Sequence, residues 1–278
     1  GLDPVELRSR DMRRYLELGR IVTGEMMSQV FSEWRGNHSH NRGGLVWFYK
    51  DLWPAAGWGI IDSSGLPKAT YYALKRIWKS RQIALTDEGL NGLHVHLINE
   101  AALPFSGFVE VALLKEPDVV VARREIPIDV AARGTQWISA DGVLGRFYDT
   151  TYAYRFGPAH HDIAVATLFD AERNVIGEAF HFIRRRESNI GRAALQTTVE
   201  CCGDDGYRVT LQADRFLHGV HLTAKGYLPD DNYFYLIPKR TKTVHFNRIG
   251  DSRAAFRAEI EALNLDTSIT VSPNTNRD

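Results

Sequence analysis

Two histidine pairs, His38 with His40 and His94 with His96, are spaced i, i+2. On a strand that spacing puts both imidazoles on one face, the first half of a metal site. No third ligand accompanies either pair at short range, so solvated histidines are expected there, and also at His160-His161 in the loop after Gly157-Pro158. Cys201 and Cys202 are adjacent. Neighbours on a strand face opposite ways and a bridge between them is strained, so two free thiols are expected. Among the carboxylates, Glu25 and Glu33 fall in a helical stretch as surface charges, whereas Asp51 closes an apolar run. No metal or cofactor is expected.

The charge balance excludes other classes. Lys+Arg and Asp+Glu both number 34, so no net charge draws the chain to nucleic acid or an anionic membrane. The densest like-charge run, Arg184-Arg185-Arg186, reads as a solvated strand end or linker. No segment approaches the ~20 apolar residues of a transmembrane helix. The chain opens at Gly1 without a Met and no targeting sequence is visible, so localisation is left unassigned.

These residues need elements to position them. Residues 3–35 read as helix: Asp3 can cap it, with Pro4 at the first position and Glu6 at the third, and Gly19 and Gly24 leave room for a break. After a polar loop, Leu45-Val46-Trp47-Phe48-Tyr49 is apolar throughout, as in a strand buried on both faces. A loop with Trp53 and Trp58 follows, then a second helix from Pro67 through Trp78. Helix, buried strand, loop and helix is one step of a (β/α)-barrel, and a full barrel takes ~250 residues, so residues 1–80 hold only part of one.

Beyond residue 81 the texture changes to short strands. Leu93, Val95 and Leu97 alternate with polar residues, and further strands are expected at 108–113, 119–123, 152–156, 163–169 and 179–183, with a hairpin turn at 170–174. A second set runs through 194–200, 207–213, 219–224, 233–236, 241–246 and 269–271, with a turn at 203–206 and a short helix or irregular strand at 254–263. The fold class is therefore mostly β: two immunoglobulin-like β-sandwiches, residues 81–187 and 188–278, preceded by a helix-strand-helix remnant of a (β/α)8 barrel in residues 1–80.

The motif Gly44-Leu45-Val46-Trp47-Phe48-Tyr49-Lys50-Asp51-Leu52-Trp53-Pro54, then Gly57-Trp58-Gly59-Ile60-Ile61-Asp62, then Gly65-Leu66-Pro67-Lys68-Ala69-Thr70-Tyr71-Tyr72-Ala73-Leu74-Lys75-Arg76, resembles the end of the catalytic barrel in β-mannosidase-like members of glycoside hydrolase family 2. A second match, Asp230-Asp231-Asn232-Tyr233-Phe234-Tyr235-Leu236-Ile237-Pro238 and Lys242-Thr243-Val244-His245-Phe246, resembles the last immunoglobulin-like domain of that family. Phe48 and Lys50 stand where Gln and Asn are frequent, which leaves sugar specificity unassigned.

The resemblance implies a retaining glycosidase with two glutamates ~5–5.5 Å apart. It places them on barrel strands in a catalytic region upstream of Gly1, so this chain alone is expected not to be catalytic. It also implies a β-mannoside-type oligosaccharide as partner of the complete enzyme, with Trp47 as an aromatic platform for a sugar ring and Asp51, Trp53 and Trp58 as further substrate-binding residues. Residues 1–80 are expected to expose an unusually large apolar surface or to bury it against another chain, an oligomer through that surface being one outcome. A freestanding immunoglobulin-like module binding carbohydrate or protein is the alternative, and it has no use for a buried barrel strand at 45–49. In residues 230–238, Phe234 and Leu236 are expected in the core and Tyr233 and Tyr235 on the opposite face.

Overall fold

A computed structural model describes residues 2–37, 39–41, 43–183, 190–203, 206–250 and 254–273. The arginine run at 184–186, His38, and Asp204-Asp205 of the expected turn lie outside the described residues. The chain forms two units: Glu25–Val46 with Leu74–Glu187, and Leu2–Gly24 with Trp47–Ala73 and Ser188–Asp278.

The helical lead starts as the sequence implies. The Asp3 side chain accepts the N–H groups of Val5 and Glu6 and caps α1 (Pro4–Arg10). The break that follows falls at Asp11, not at Gly19 or Gly24. Asp11 ends α1 by donating its N–H to Leu7 O (2.7 Å), and its carboxylate accepts Arg14 N–H (3.0 Å) at the start of α2 (Met12–Arg35). A short acceptor that competes for backbone amides breaks this helix more effectively than a glycine does.

The first unit is a two-layer sandwich. One sheet has the order β1 (Arg81–Asp87), β2 (Leu93–Asn99), β5 (Gly134–Ser139). The other has the order β4 (Val119–Val130), β3 (Phe105–Lys115), β6 (Ile163–Phe169), β7 (Val175–Phe182). Every pairing is antiparallel. Leu93, Val95 and Leu97 from one sheet meet Val109, Val111, Leu113, Ala164, Ala166 and Leu168 from the other, because alternate residues of a strand share a face. A short helix, α4 (Ala140–Leu144), closes this core with Ala140, Val143 and Leu144.

The expected strand at 152–156 is instead a hydrogen-bonded loop. The Asp149 carboxylate accepts the N–H groups of Ala153, Tyr154 and Arg155 (2.9, 3.1 and 3.2 Å), which removes those amides from any ladder. The turn at 170–174 forms as expected, with Asn174 N–H on the Asp170 side chain (2.7 Å).

In the second unit, seven strands follow the order β15 (Ile269–Val271), β14 (Ala258–Glu261), β10 (Leu217–Ala224), β11 (Tyr227–Pro229), β13 (Thr241–Arg248), β9 (Gly206–Ala213), β8 (Leu195–Cys201). β12 (Phe234–Leu236) also pairs with β10. The stretch 254–263, open to two readings from its sequence, supplies strand β14. Val209, Leu211, Val220, Leu222, Phe234, Leu236, Val244 and Phe246 share one core.

β10 changes partner along its length, and Asn232 fills the gap. Its Oδ1 accepts Leu222 N–H (2.8 Å) and its Nδ2 donates to Leu222 O (2.9 Å), so a side-chain amide does the work of a neighbouring strand. Ile21 of α2 packs on Gly219, whose φ is +58°, and a methyl there would collide with the isoleucine. Arg13 pairs with Glu261, and Arg14 donates to Leu263 O. Helix α3 (Ala69–Ile77) crosses α2 at Gly24, where an added methyl would sit 3.2 Å from Ala73 Cβ. Tyr72 of α3 is buried and donates its hydroxyl to Pro229 O (3.2 Å).

Candidate functional site

The sequence places its sugar-contact candidates between α2 and α3. Three extended pieces lie side by side in this stretch of the second unit. Ile60 and Ile61 donate N–H groups to Phe48 O (3.1 Å) and Tyr49 O (3.0 Å), and Asp51 N–H returns to Ile61 O (3.0 Å). On the other side, Lys68 N–H donates to Ile60 O (2.9 Å). Lys50 bridges Ile61 in parallel and Ile61 bridges Pro67 antiparallel. The Trp47–Phe48 peptide bond is cis.

The expectation that residues 45–49 are buried on both faces is not met. Trp47 is 79 % exposed and Tyr49 67 %, and Leu45 is fully exposed. A strand is buried on both faces only when it is paired and covered on both sides. Here the described residues pair this segment along one edge, through Lys50 and Ile61. The remainder lies outside any strand, with Trp47 and Tyr49 in solvent and Phe48 half-buried.

Asp51 is the fixed point of the site. Its side chain is buried, its Oδ1 accepts Gly59 N–H (2.7 Å), and its Oδ2 takes an ion-paired hydrogen bond from Lys68 Nζ. The same ammonium donates to Gly57 O (3.1 Å). The Lys68 hydrogen bond outweighs the opposing effect of burial and, with the Gly59 amide, holds the Asp51 carboxyl below the ordinary carboxylate range. A general acid needs the opposite shift. Gly57 and Gly59 are required here, because a methyl at Gly57 would collide with the Asp51 carboxylate and one at Gly59 with the Asp51 backbone.

Residues 52–58 loop out from this point. Trp53 and Trp58 hold their rings in solvent, 71 % and 76 % exposed. An open depression of ≈ 420 Å³ is lined by Asp51, Trp53, Pro54, Ala55, Asp62, Ser63 and Ser64. Asp51 and Trp53 thus share one surface, while Trp47 and Trp58 lie outside that lining. Asp62 shapes the far wall: its Oδ1 accepts Ser64 N–H, Ser64 hydroxyl and Leu66 N–H (2.9, 2.6 and 2.9 Å). Burial acts to raise its carboxyl, but these hydrogen bonds prevail and lower it.

Sequence reasoning passed over Lys68, Gly57 and Gly59 as site residues. All three lie within the quoted motifs, where the Gly57-x-Gly59 spacing was the available signal.

The histidines depart from expectation. His96 is buried, with Nε2 2.9 Å from Thr86 Oγ1 and Nδ1 accepting Asn37 N–H (3.2 Å). His94 stacks on Trp137 with centroids 4.1 Å apart. His161 is also buried, its Nε2 3.3 Å from Thr150 O, and burial pushes its pKa down to about 4. The solvated reading fails at His96, on β2, and at His161, in the loop before β6, because both rings are buried. Among the described residues no group of three or more His, Cys, Asp or Glu side chains is placed to hold a metal ion. Cys201 and Cys202 are free and exposed. Among the described residues no helix is long and apolar enough to cross a membrane.

The mannosidase Ig-fold domain family matches residues 190–267. The fold of nearly the whole chain, 93 % of it, superposes on β-D-mannosidase from Dictyoglomus thermophilum with a TM-score of 0.76 at 22 % identity, covering 31 % of that chain. Residues 190–267 thus match a domain of mannosidases, and the fold of the chain is similar to that of a β-mannosidase. Its sequence is 26 % identical to β-mannosidase B of Aspergillus niger over 157 residues, 50 % of this chain and 19 % of the relative. The Emericella nidulans β-mannosidase B is 30 % identical over 109 residues, 38 % of this chain and 13 % of the relative. An exo-chitosanase of Amycolatopsis orientalis shares the fold at a TM-score of 0.71 and 14 % identity over 93 % of this chain. The chain spans about a fifth of the length of the first curated relative that it matches.

Proposed function

We propose that this chain serves as the C-terminal part of a β-mannosidase-like retaining glycoside hydrolase. In this reading residues 1–80 complete the catalytic barrel, and residues 81–187 and 188–278 are accessory sandwiches. The carboxylate pair is supplied by a catalytic region outside these residues. Trp47, Trp53 and Trp58 face a β-mannoside-type oligosaccharide, with Asp51 beneath them. The exposed apolar surface of residues 1–80 is where the rest of the enzyme or a second chain is received.

The observation that carries this reading is the exposure of three tryptophans on an ordered frame around Asp51. Flat rings held in solvent suit the C–H faces of a pyranose, and burying them in the core would have been the cheaper arrangement. Asp51, buried and ion-paired, is unsuited to act as both acid and nucleophile.

Two measurements on the 278-residue chain test the proposal. It should release no nitrophenol from p-nitrophenyl β-mannoside, and its tryptophan emission should respond to β-1,4-mannotriose. Turnover that survives purification and vanishes on Asp51→Asn would overturn the non-catalytic role.

A further inference from the structure

The frame contains a cation that sugar contact does not call for. Lys68 lies just before α3, at the opposite edge of the three extended pieces from Asp51, yet its ammonium reaches both ends of the 52–58 loop. It meets Asp51 at the start of the loop and the Gly57 carbonyl at its end. The loop has little else to hold it. Its own backbone bonds, Ala55 N–H to Trp53 O (2.9 Å) and Gly57 N–H to Ala55 O (2.8 Å), are local turns, and its large side chains Leu52, Trp53 and Trp58 lie in solvent.

We infer that Lys68 is a positioning residue: through Asp51 and Gly57 it clamps the 52–58 loop so that Trp53 and Trp58 present fixed faces outward. The use of that loop for sugar rests on the function proposed above, whereas the clamp rests on the contacts alone. The geometry is specific. Gly57 and Gly59 leave room for the Asp51 carboxylate, the Gly59 amide takes Oδ1, and Lys68 takes Oδ2. A buried carboxylate deprived of its cation is costly, so the loop and the charge pair hold or fail together. An exposed aromatic that must meet a ligand gains from being held in one orientation beforehand, since ordering it on binding would cost affinity.

The test is hydrogen–deuterium exchange over residues 52–61 of the full chain, comparing wild type, Lys68→Met and Lys68→Arg. Lys68→Met should accelerate exchange of the loop and the Gly59 amide by about tenfold or more, with β9 and β13 unchanged. Lys68→Arg should restore most of the protection, because a guanidinium can bridge the same carboxylate and carbonyl. Unaltered loop exchange in Lys68→Met, or no recovery in Lys68→Arg, would overturn the clamp.

Should Lys68→Met unfold the chain, the double variant Asp51→Asn with Lys68→Met removes both charges and leaves no unpaired carboxylate. Its loop should still exchange fast, and a protected loop in that variant sinks the proposal. Titration with β-1,4-mannotriose, read by tryptophan emission, separates the two ideas. Weaker binding in Lys68→Met supports positioning for sugar. A wild-type chain that ignores mannotriose while its loop responds to Lys68→Met leaves the clamp standing and the sugar-facing reading refuted.

Discussion

Residues 47–62 and 230–238 draw on the same kinds of side chain and put them to opposite use. Each has clustered aromatics, a buried polar residue from an acid-or-amide position, and a proline. In residues 230–238 the aromatics alternate across a strand: Phe234 and Leu236 are 4 % and 2 % exposed, while Tyr233 and Tyr235 are half-buried on the other face. In residues 47–62 the tryptophans point outward, while the polar Asp51 goes inside together with Ile60. Aromatic density alone therefore does not locate a core. What decides is whether the buried polar group supports a strand, as Asn232 supports β10, or a loop, as Asp51 supports residues 52–58.

The largest effect should come from the buried side of this contrast. Phe234→Ala removes most of a buried ring and should lower stability by about 3–5 kcal/mol, read as a clear fall in Tm. Tyr233→Ala, at a half-buried position stacked on His221 with centroids 4.5 Å apart, should cost less. The reverse order would mean that the faces are misassigned and the register is shifted by one.

Acid should also act next to that segment, on β10. His221 is driven from 6.5 to about 4, mainly by burial, with Arg20 acting the same way and Glu259 opposing; Glu261 Oε2 lies 3.5 Å from its Nδ1. A folded pKa below the unfolded one means that the unfolded chain takes up the proton more readily. Stability is then complete above pH 6.5 and is lost as pH falls toward about 4, by about 3 kcal/mol for this histidine. Thermal scans at pH 7 and pH 4.5 should show the loss, and His221→Phe should flatten the difference. His161 adds a loss of the same sign in the first unit.

The smallest effect belongs to the exposed side. Trp53→Ala and Trp58→Ala should each change stability by no more than about 0.5 kcal/mol, since exposed surface substitutions seldom do more. A Tm drop comparable to that of Phe234→Ala would show that these rings are packed, and the contrast between the two segments would collapse.

Much of the fold was legible where a single physical rule dominates. The period-two pattern of Leu93, Val95 and Leu97 marked β2, the Asp3-Pro4 pair marked the first helix start, and the alternation at 233–236 marked β12 with its faces. Reading failed where a side chain overrides local pattern. Arg81–Asp87 was passed over as a strand because buried Gln82 and Thr86 interrupt its apolar signal. Residues 152–156 look like a strand by composition, but Asp149 captures their amides.

The candidate site was legible only in part, for a related reason. The tryptophans and Asp51 could be named from the motif. The partner that fixes Asp51, though, lies seventeen positions along the chain, and only the folded backbone brings Lys68 to it. The apolar content of residues 45–49 reports what the segment could bury and not what covers it: Leu45, Trp47 and Tyr49 lie in solvent.

Asn232 carries a consequence for chemical ageing. Asparagine slowly hydrolyses to aspartate, a change of one atom with almost no change in shape. At this position the new oxygen would face the Leu222 carbonyl, where Nδ2 now donates, setting two acceptors against each other inside the sheet. Burial at 5 % exposure and the two bonds to Leu222 also hold the amide still and shield it from water. The interaction that makes the residue irreplaceable is thus the one that slows its decay, and a chain that opens even briefly at β10 would lose that protection at its most sensitive atom.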